Sequence, residues 1–274
     1  MRAIVPSPPR GRHRGGTAGL VAVDRRVEGG QTVGMQGYHQ QPASPQPNGP
    51  RMGGSTQLHS GVVQFMNGVY GWMAVGLAVT AGVSWGIAQS MDLVVTLFTG
   101  VTRWLLLLPF FLPMFIGPRI AGMSRGGATM AFMVISALIG VSLSYIPVVY
   151  QTSTLFTALA ATVAAFASMA VFGFVTKKDL SGMGQFLLMA LFGAIFASFA
   201  NMFFVQSAGM SLLVSGIVAL VSAGLTAYHT QAIKQLYLVN GGQGNLAING
   251  ALLLYINFLN LFLSLLHLLG GNRD

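Results

Sequence analysis

The chain has no cysteine, which excludes disulfides and thiolate metal sites. It is almost as poor in acid. Of five Asp and Glu in 274 residues, only Asp92 and Asp179 fall between Val62 and Leu269, and neither lies inside an apolar run. That scarcity argues against a membrane aspartyl protease, which needs two aspartates, and against transporters that rely on a buried acid. Lys177, Lys178 and Lys234 all stand at helix ends or in loops, so a retinal Schiff base at mid-helix has no candidate. Charged residues make up 7% of the chain, against about 25% in an ordinary soluble domain.

What replaces charge is apolar length. Hydrophobic residues form 53% of the sequence, in long runs split by short polar breaks. A helix needs about 20 mostly apolar residues to cross the hydrocarbon core, and seven such spans are expected near 62–88, 103–119, 127–149, 155–176, 183–205, 210–234 and 246–269. Pro109 and Pro113 interrupt the second, and the segment before it, 91–101, is also apolar. The fold class expected is an all-α integral membrane protein of seven transmembrane helices.

The net charge of +9 does not point to nucleic acid, because half of the fourteen Lys and Arg precede Val62. Residues 1–60 are rich in Gly, Pro, Gln, Ser and Arg and read as a disordered basic tail, attracted to anionic lipid, ahead of a transmembrane domain over 61–274. Met35 and Met52 each offer an alternative start to Met1. The remaining cations occupy alternate loops: Arg119 and Arg125, then Lys177 and Lys178, then Lys234, whereas the connections around Gln151 and Gln206 carry none. By the positive-inside rule the N-terminus is cytosolic. Trp72, Trp85, Trp104 and Tyr150 are read as interfacial aromatics, with Arg103 reaching for the outer headgroups.

Small residues recur four apart, as in Ala74, Ala78, Gly82 and Gly86, a pattern of close helix packing. The informative polar residues lie in the last two spans. Asn249, Asn257, Asn260, Ser264 and His267 share one face of span seven; Ser211, Ser215, Ser222, Thr226 and His229 mark span six. Such stripes do not face lipid, since an unpaired polar group in hydrocarbon is costly. They either tie the bundle together or line a narrow hydrated path. Two histidines on different helices, His229 and His267, do not make a three-ligand zinc site. Gly140-Val141-Ser142 is explained by helix packing better than by serine catalysis, and neither an enzyme nor a cofactor is expected.

Leu254-Tyr255-Ile256-Asn257-Phe258-Leu259-Asn260-Leu261-Phe262-Leu263 resembles the last-helix signature of the Bax inhibitor-1 family. Gly224 to Gln231, Thr176 to Gly182, Tyr70-Gly71-Trp72-Met73 and Gly140 to Ser144 resemble that family as well, in particular its bacterial inner-membrane, YccA-like branch. The resemblance implies seven helices with the last one surrounded by the other six. It implies either a pH-sensitive leak of calcium or another cation, or a non-conducting regulator that binds membrane proteins such as a quality-control protease. The expected location is the bacterial inner membrane, and the expected partners are the bilayer, a cation and a membrane protein, with no nucleic acid.

Leak-active members carry an aspartate in each of the last two helices, and the matching positions here are His229 and Asn257. Arg119 matches the arginine that latches the span-six aspartate in the family's closed state. This chain therefore keeps the arginine and lacks both carboxylates. Two carboxylates sharing a site titrate because both cannot ionise together, and calcium prefers hard oxygen ligands that include carboxylates. An imidazole and an amide supply neither property, so the expected pair is a neutral His229 hydrogen-bonded to Asn257 or to a backbone carbonyl.

Overall fold

Backbone amides have no water to bond in hydrocarbon, so long apolar runs satisfy them internally as helices. In a computed structural model the described residues are 53–100, 102–120, 122–242 and 245–271, with side chains described from His59 onward and that of Arg103 left aside. They form α1 (Gly53–Ala88), α2 (Met91–Phe98), α3 (Thr102–Leu105), α4 (Leu108–Ile120), α5 (Arg125–Ser142), α6 (Ile146–Val149), α7 (Thr152–Val175), α8 (Ser181–Ala200), α9 (Ala208–Asn240) and α10 (Leu246–Gly270), and a π-helical turn, Asn201–Val205, prolongs α8. Six stretches are long and apolar enough to cross a membrane: His59–Ala88, Arg125–Val149, Thr152–Val175, Ser181–Val205, Ala208–Asn240 and Leu246–Gly270.

The span expected at 103–119 is different. It divides into the single turn of α3 and the 13-residue α4, which holds Pro113 and Pro118 within it. Proline removes a backbone donor and pushes on the preceding turn, which explains why this stretch does not run as one long helix. The neighbouring apolar segment folds separately as α2. The tail expected over 1–60 lies mostly outside the described residues, as do Met35 and Met52, but its last eight residues already belong to α1.

Helix α10 packs against α1, α4, α5, α7 and α9, and so occupies the middle of the bundle; α8 has α9 as its main partner. Close approach is built on glycine. A Cβ on Gly76 would stand 2.5 Å from the Phe132 ring, and one on Gly140 would stand 2.8 Å from the Thr80 carbonyl, so α1 and α5 touch backbone to backbone. Gly173 presses on the backbone of Ala227, joining α7 to α9 in the same way.

Hydrogen bonds fasten what the glycines bring together. The Thr80 hydroxyl donates to the Ser136 carbonyl at 2.9 Å and receives the Tyr255 hydroxyl at 2.6 Å, so one side chain links α1, α5 and α10. Ser84 donates to the Leu143 carbonyl at 3.0 Å. Phe132 stacks edge-on between Trp72 and Tyr255. Trp72 therefore packs inward, contrary to its expected interfacial role, whereas Trp104 lies flat against Phe203 at 5.7 Å near the helix ends.

Candidate functional site

Helices α9 and α10 run antiparallel, joined by a short turn in which Gly241 adopts φ 64°, the left-handed conformation that glycine takes without strain. At this basic end two amide side chains bind backbone groups. Gln231 accepts from the Leu180 N–H at 2.9 Å and donates to the Lys178 carbonyl at 2.7 Å, fixing the loop between α7 and α8. Asn245 donates to the Ile120 and Met123 carbonyls at 3.2 and 2.6 Å, holding the end of α4 to the start of α10. Both amides are buried, and each satisfies carbonyls that a helix end leaves open.

Midway along the pair, the Asn257 amide lies 2.7 Å from His229 Nδ1. An amide N–H donates there, so Nδ1 is the unprotonated nitrogen and the imidazole proton sits on Nε2. Asn257 is 2% exposed. One turn along α9, Thr226 and Ser222 are fully buried; Thr226 bonds back to the Ser222 carbonyl at 2.8 Å, while Ser222 Oγ has no partner.

Toward the other end the same stripe opens. A cavity of about 320 Å³ is lined by Asn260, Ser264 and His267 of α10, Ser215 of α9, Ser198 of α8, and Tyr145 and Tyr150 flanking α6. Asn260 stands one turn from Asn257, so the cavity ends close to the His229–Asn257 contact. His267 Nε2 lies 3.0 Å from Ser211 Oγ at the cavity's far side. No acid lines this space, and among the described residues no three His, Asp or Glu gather as a metal ligand set.

Residues 62–274 match the family described as Inhibitor of apoptosis-promoting Bax1. The chain belongs to the Bax inhibitor-1 family. It is 38% identical over 231 residues to the inner membrane protein YbhL of Escherichia coli K12, covering 82% of this chain and 98% of that one. An uncharacterized protein of Deinococcus radiodurans is 42% identical over 216 residues, covering 77% and 91%. The uncharacterized protein YrjE of Lactococcus lactis is 34% identical over 227 residues, covering 80% and 96%. Membership in this family, together with six membrane-length apolar helices, makes the chain a multi-pass membrane protein.

Within this family member the residues singled out by sequence divide into three groups. His229 and Asn257 meet; Asn260 and Ser264 line the cavity beyond them; Ser222 and Thr226 are sealed in the interior. Asn249, partly buried, stands about 12 Å nearer the basic end. Arg119 is not brought to the pair. It is exposed, and its guanidinium donates to the Phe115 carbonyl one turn earlier in α4 at 2.7 Å. Its guanidinium is thus committed to a carbonyl of its own helix.

Sequence reading passed over Asn245, Thr80, Tyr145 and Ser198. Asn245 had a usable signal, an amide after two glycines at a helix start. Thr80 had none, since one threonine in an apolar helix does not reveal a tyrosine 175 positions away.

Proposed function

We propose that this protein is a leak-type conduit for cations across the bacterial inner membrane, held closed by an uncharged latch in place of an acid pair. The path enters at the cavity lined by Asn260, Ser264 and Ser215 and stops at the His229–Asn257 contact. The observation that carries this reading is that contact, which joins α9 to α10 one turn from the cavity-lining Asn260. The seventh crossing is made by α3 and α4 together, the basic loops and N-terminus face the cytosol, and no catalytic step is involved. The inner-membrane placement rests on the printed name of the E. coli relative and on the loop charges.

Asn257 does not titrate, and a latch without carboxylates has no acid pair to take up a proton as pH falls. The protein is therefore expected to show weak calcium flux without the steep acid dependence of a carboxylate pair. In proteoliposomes the double variant His229→Asp with Asn257→Asp should gain pH-dependent calcium flux by about tenfold or more. Strong flux with an acidic-range gate in the native protein would overturn the reading.

A second reading has its own support in α8. That helix buries only Gly184 and Ala194, and presents Phe186, Met189, Phe192 and Phe196 outward. A non-conducting regulator would use such a face against another membrane protein, such as a quality-control protease. Crosslinking from Met189 would then capture one dominant protein in the native membrane.

A further inference from the structure

A second cavity, of about 410 Å³, lies between α1 and α7 at the basic end of the bundle. Both helices pack on α9 and α10, and the groove is the gap left between them. Its walls are Val63, Met66 and Tyr70 from α1 and Phe166, Ala170 and Phe174 from α7, with Asn67 and Tyr70 as its polar contributors. Its size lies within the roughly 300–1,000 Å³ of sites that bury a small molecule. The room comes from Ala167 and Ala170, which stand on α7 where larger residues would close the gap.

One end of this groove carries charge. Lys234 Nζ sits 4.8 Å from the centre of the Phe174 ring, and donates to the Phe174 carbonyl at 2.8 Å. An ammonium has three donors, so two remain for a ligand. Lys177 and Lys178 stand three and four residues after Phe174 and are exposed, with the acid Asp179 next to them. An apolar slot between the helices, with the Lys234 ammonium at its Phe174 end, fits an acyl chain whose headgroup is anionic. A zwitterionic headgroup carries the same phosphate but no net charge, so it gains less from the lysine while its chain fills the slot equally well.

We infer that the α1–α7 groove is a binding site for an anionic phospholipid of the leaflet on the basic side, with one acyl chain in the groove and its phosphate on Lys234. This site is separate from the α9–α10 path, so it stands or falls independently of conduction.

The test uses the delipidated full chain in detergent, offered equal amounts of phosphatidylglycerol and phosphatidylcholine with identical chains, and counts bound lipid by native mass spectrometry. The expected result is preferential retention of phosphatidylglycerol. Lys234→Gln should cut that preference about fivefold, the effect of one basic residue near a charged surface, while Lys234→Arg retains it. Ala167→Phe fills the groove from its exposed rim, without entering the core, and should lower retention of both lipids. Equal retention of the two lipids by the native chain would overturn the inference. So would a preference that survives Lys234→Gln, or unchanged retention in a folded Ala167→Phe variant.

Discussion

The two ends of the α9–α10 pair use the same kinds of side chain in opposite ways. At the basic end Gln231 and Asn245 are saturated by backbone groups of neighbouring segments, and α7 meets α9 with no gap at Gly173. At the other end Asn260, Ser264 and Ser215 face a cavity. A polar residue in a membrane helix is thus no marker of a path by itself. What separates mortar from lining is whether its donors and acceptors are already committed to protein.

The sharpest way to break this comparison is to add bulk at each end. Gly173→Leu drives a side chain into the Ala227 backbone and should destabilise the protein by more than about 3 kcal/mol, read as loss of folded material in a thermal scan in detergent. Gly216→Leu, in the open half of α9 where a Cβ meets nothing within 4 Å, should leave the midpoint nearly unchanged. Equal damage from both would erase the distinction.

Next in size is the removal of an amide. Asn245→Leu strips two buried carbonyls of their donor and should cost about 1–3 kcal/mol. Asn260→Leu, facing the cavity, should shift stability by less than about 0.5 kcal/mol. A thermal or denaturant series on the two variants makes the comparison.

The absence of cysteine gives a clean labelling experiment. Ser215→Cys lines the cavity, and Ser222→Cys lies two turns deeper in the same helix with no exposed surface. A membrane-impermeant thiol reagent added on the face away from the basic loops should react with the first at least about tenfold faster, as the exposure of a thiolate controls its reactivity. Comparable rates would mean that the interior at Ser222 is wet.

The smallest effect belongs to Asp179, in the exposed loop that Gln231 holds. The Ser181 N–H bonded to its carboxylate at 2.9 Å keeps its pKa below the ordinary carboxylate value. A lowered folded pKa contributes stability that is present above the unfolded value and is lost as pH falls through the folded one. Asp179→Asn should therefore remove a slight stabilisation at neutral pH and change nothing at strongly acidic pH, so that the variant's stability varies less with pH.

Much of this was legible in sequence because membrane helices obey length and apolarity alone. The runs ending at Ala88, Val175 and Gly270 lie within a residue or so of their expected limits. Helix α1 begins earlier than expected, since a helix that leaves the hydrocarbon loses its apolar signature without losing its hydrogen bonds. The stretch around α4 was harder, because two prolines permit a kinked span or a broken one and only packing decides. The stripes of α9 and α10 announced that His229 and Asn257 share an interior, but not that Asn257 would stop at the edge of a cavity. The orientation of Arg119 was not legible at all. It depends on a side-chain bond to a carbonyl one turn back in its own helix, which no spacing rule reports.

Helix α4 has one further consequence. Thirteen residues rise about 20 Å, against a hydrocarbon core of about 30 Å. If the turn of α3 and α4 together make the proposed seventh crossing, the lipids beside them must shorten locally to meet the shortfall. A crossing of that kind would work as a pinch in the bilayer, and a thicker membrane would press hardest there.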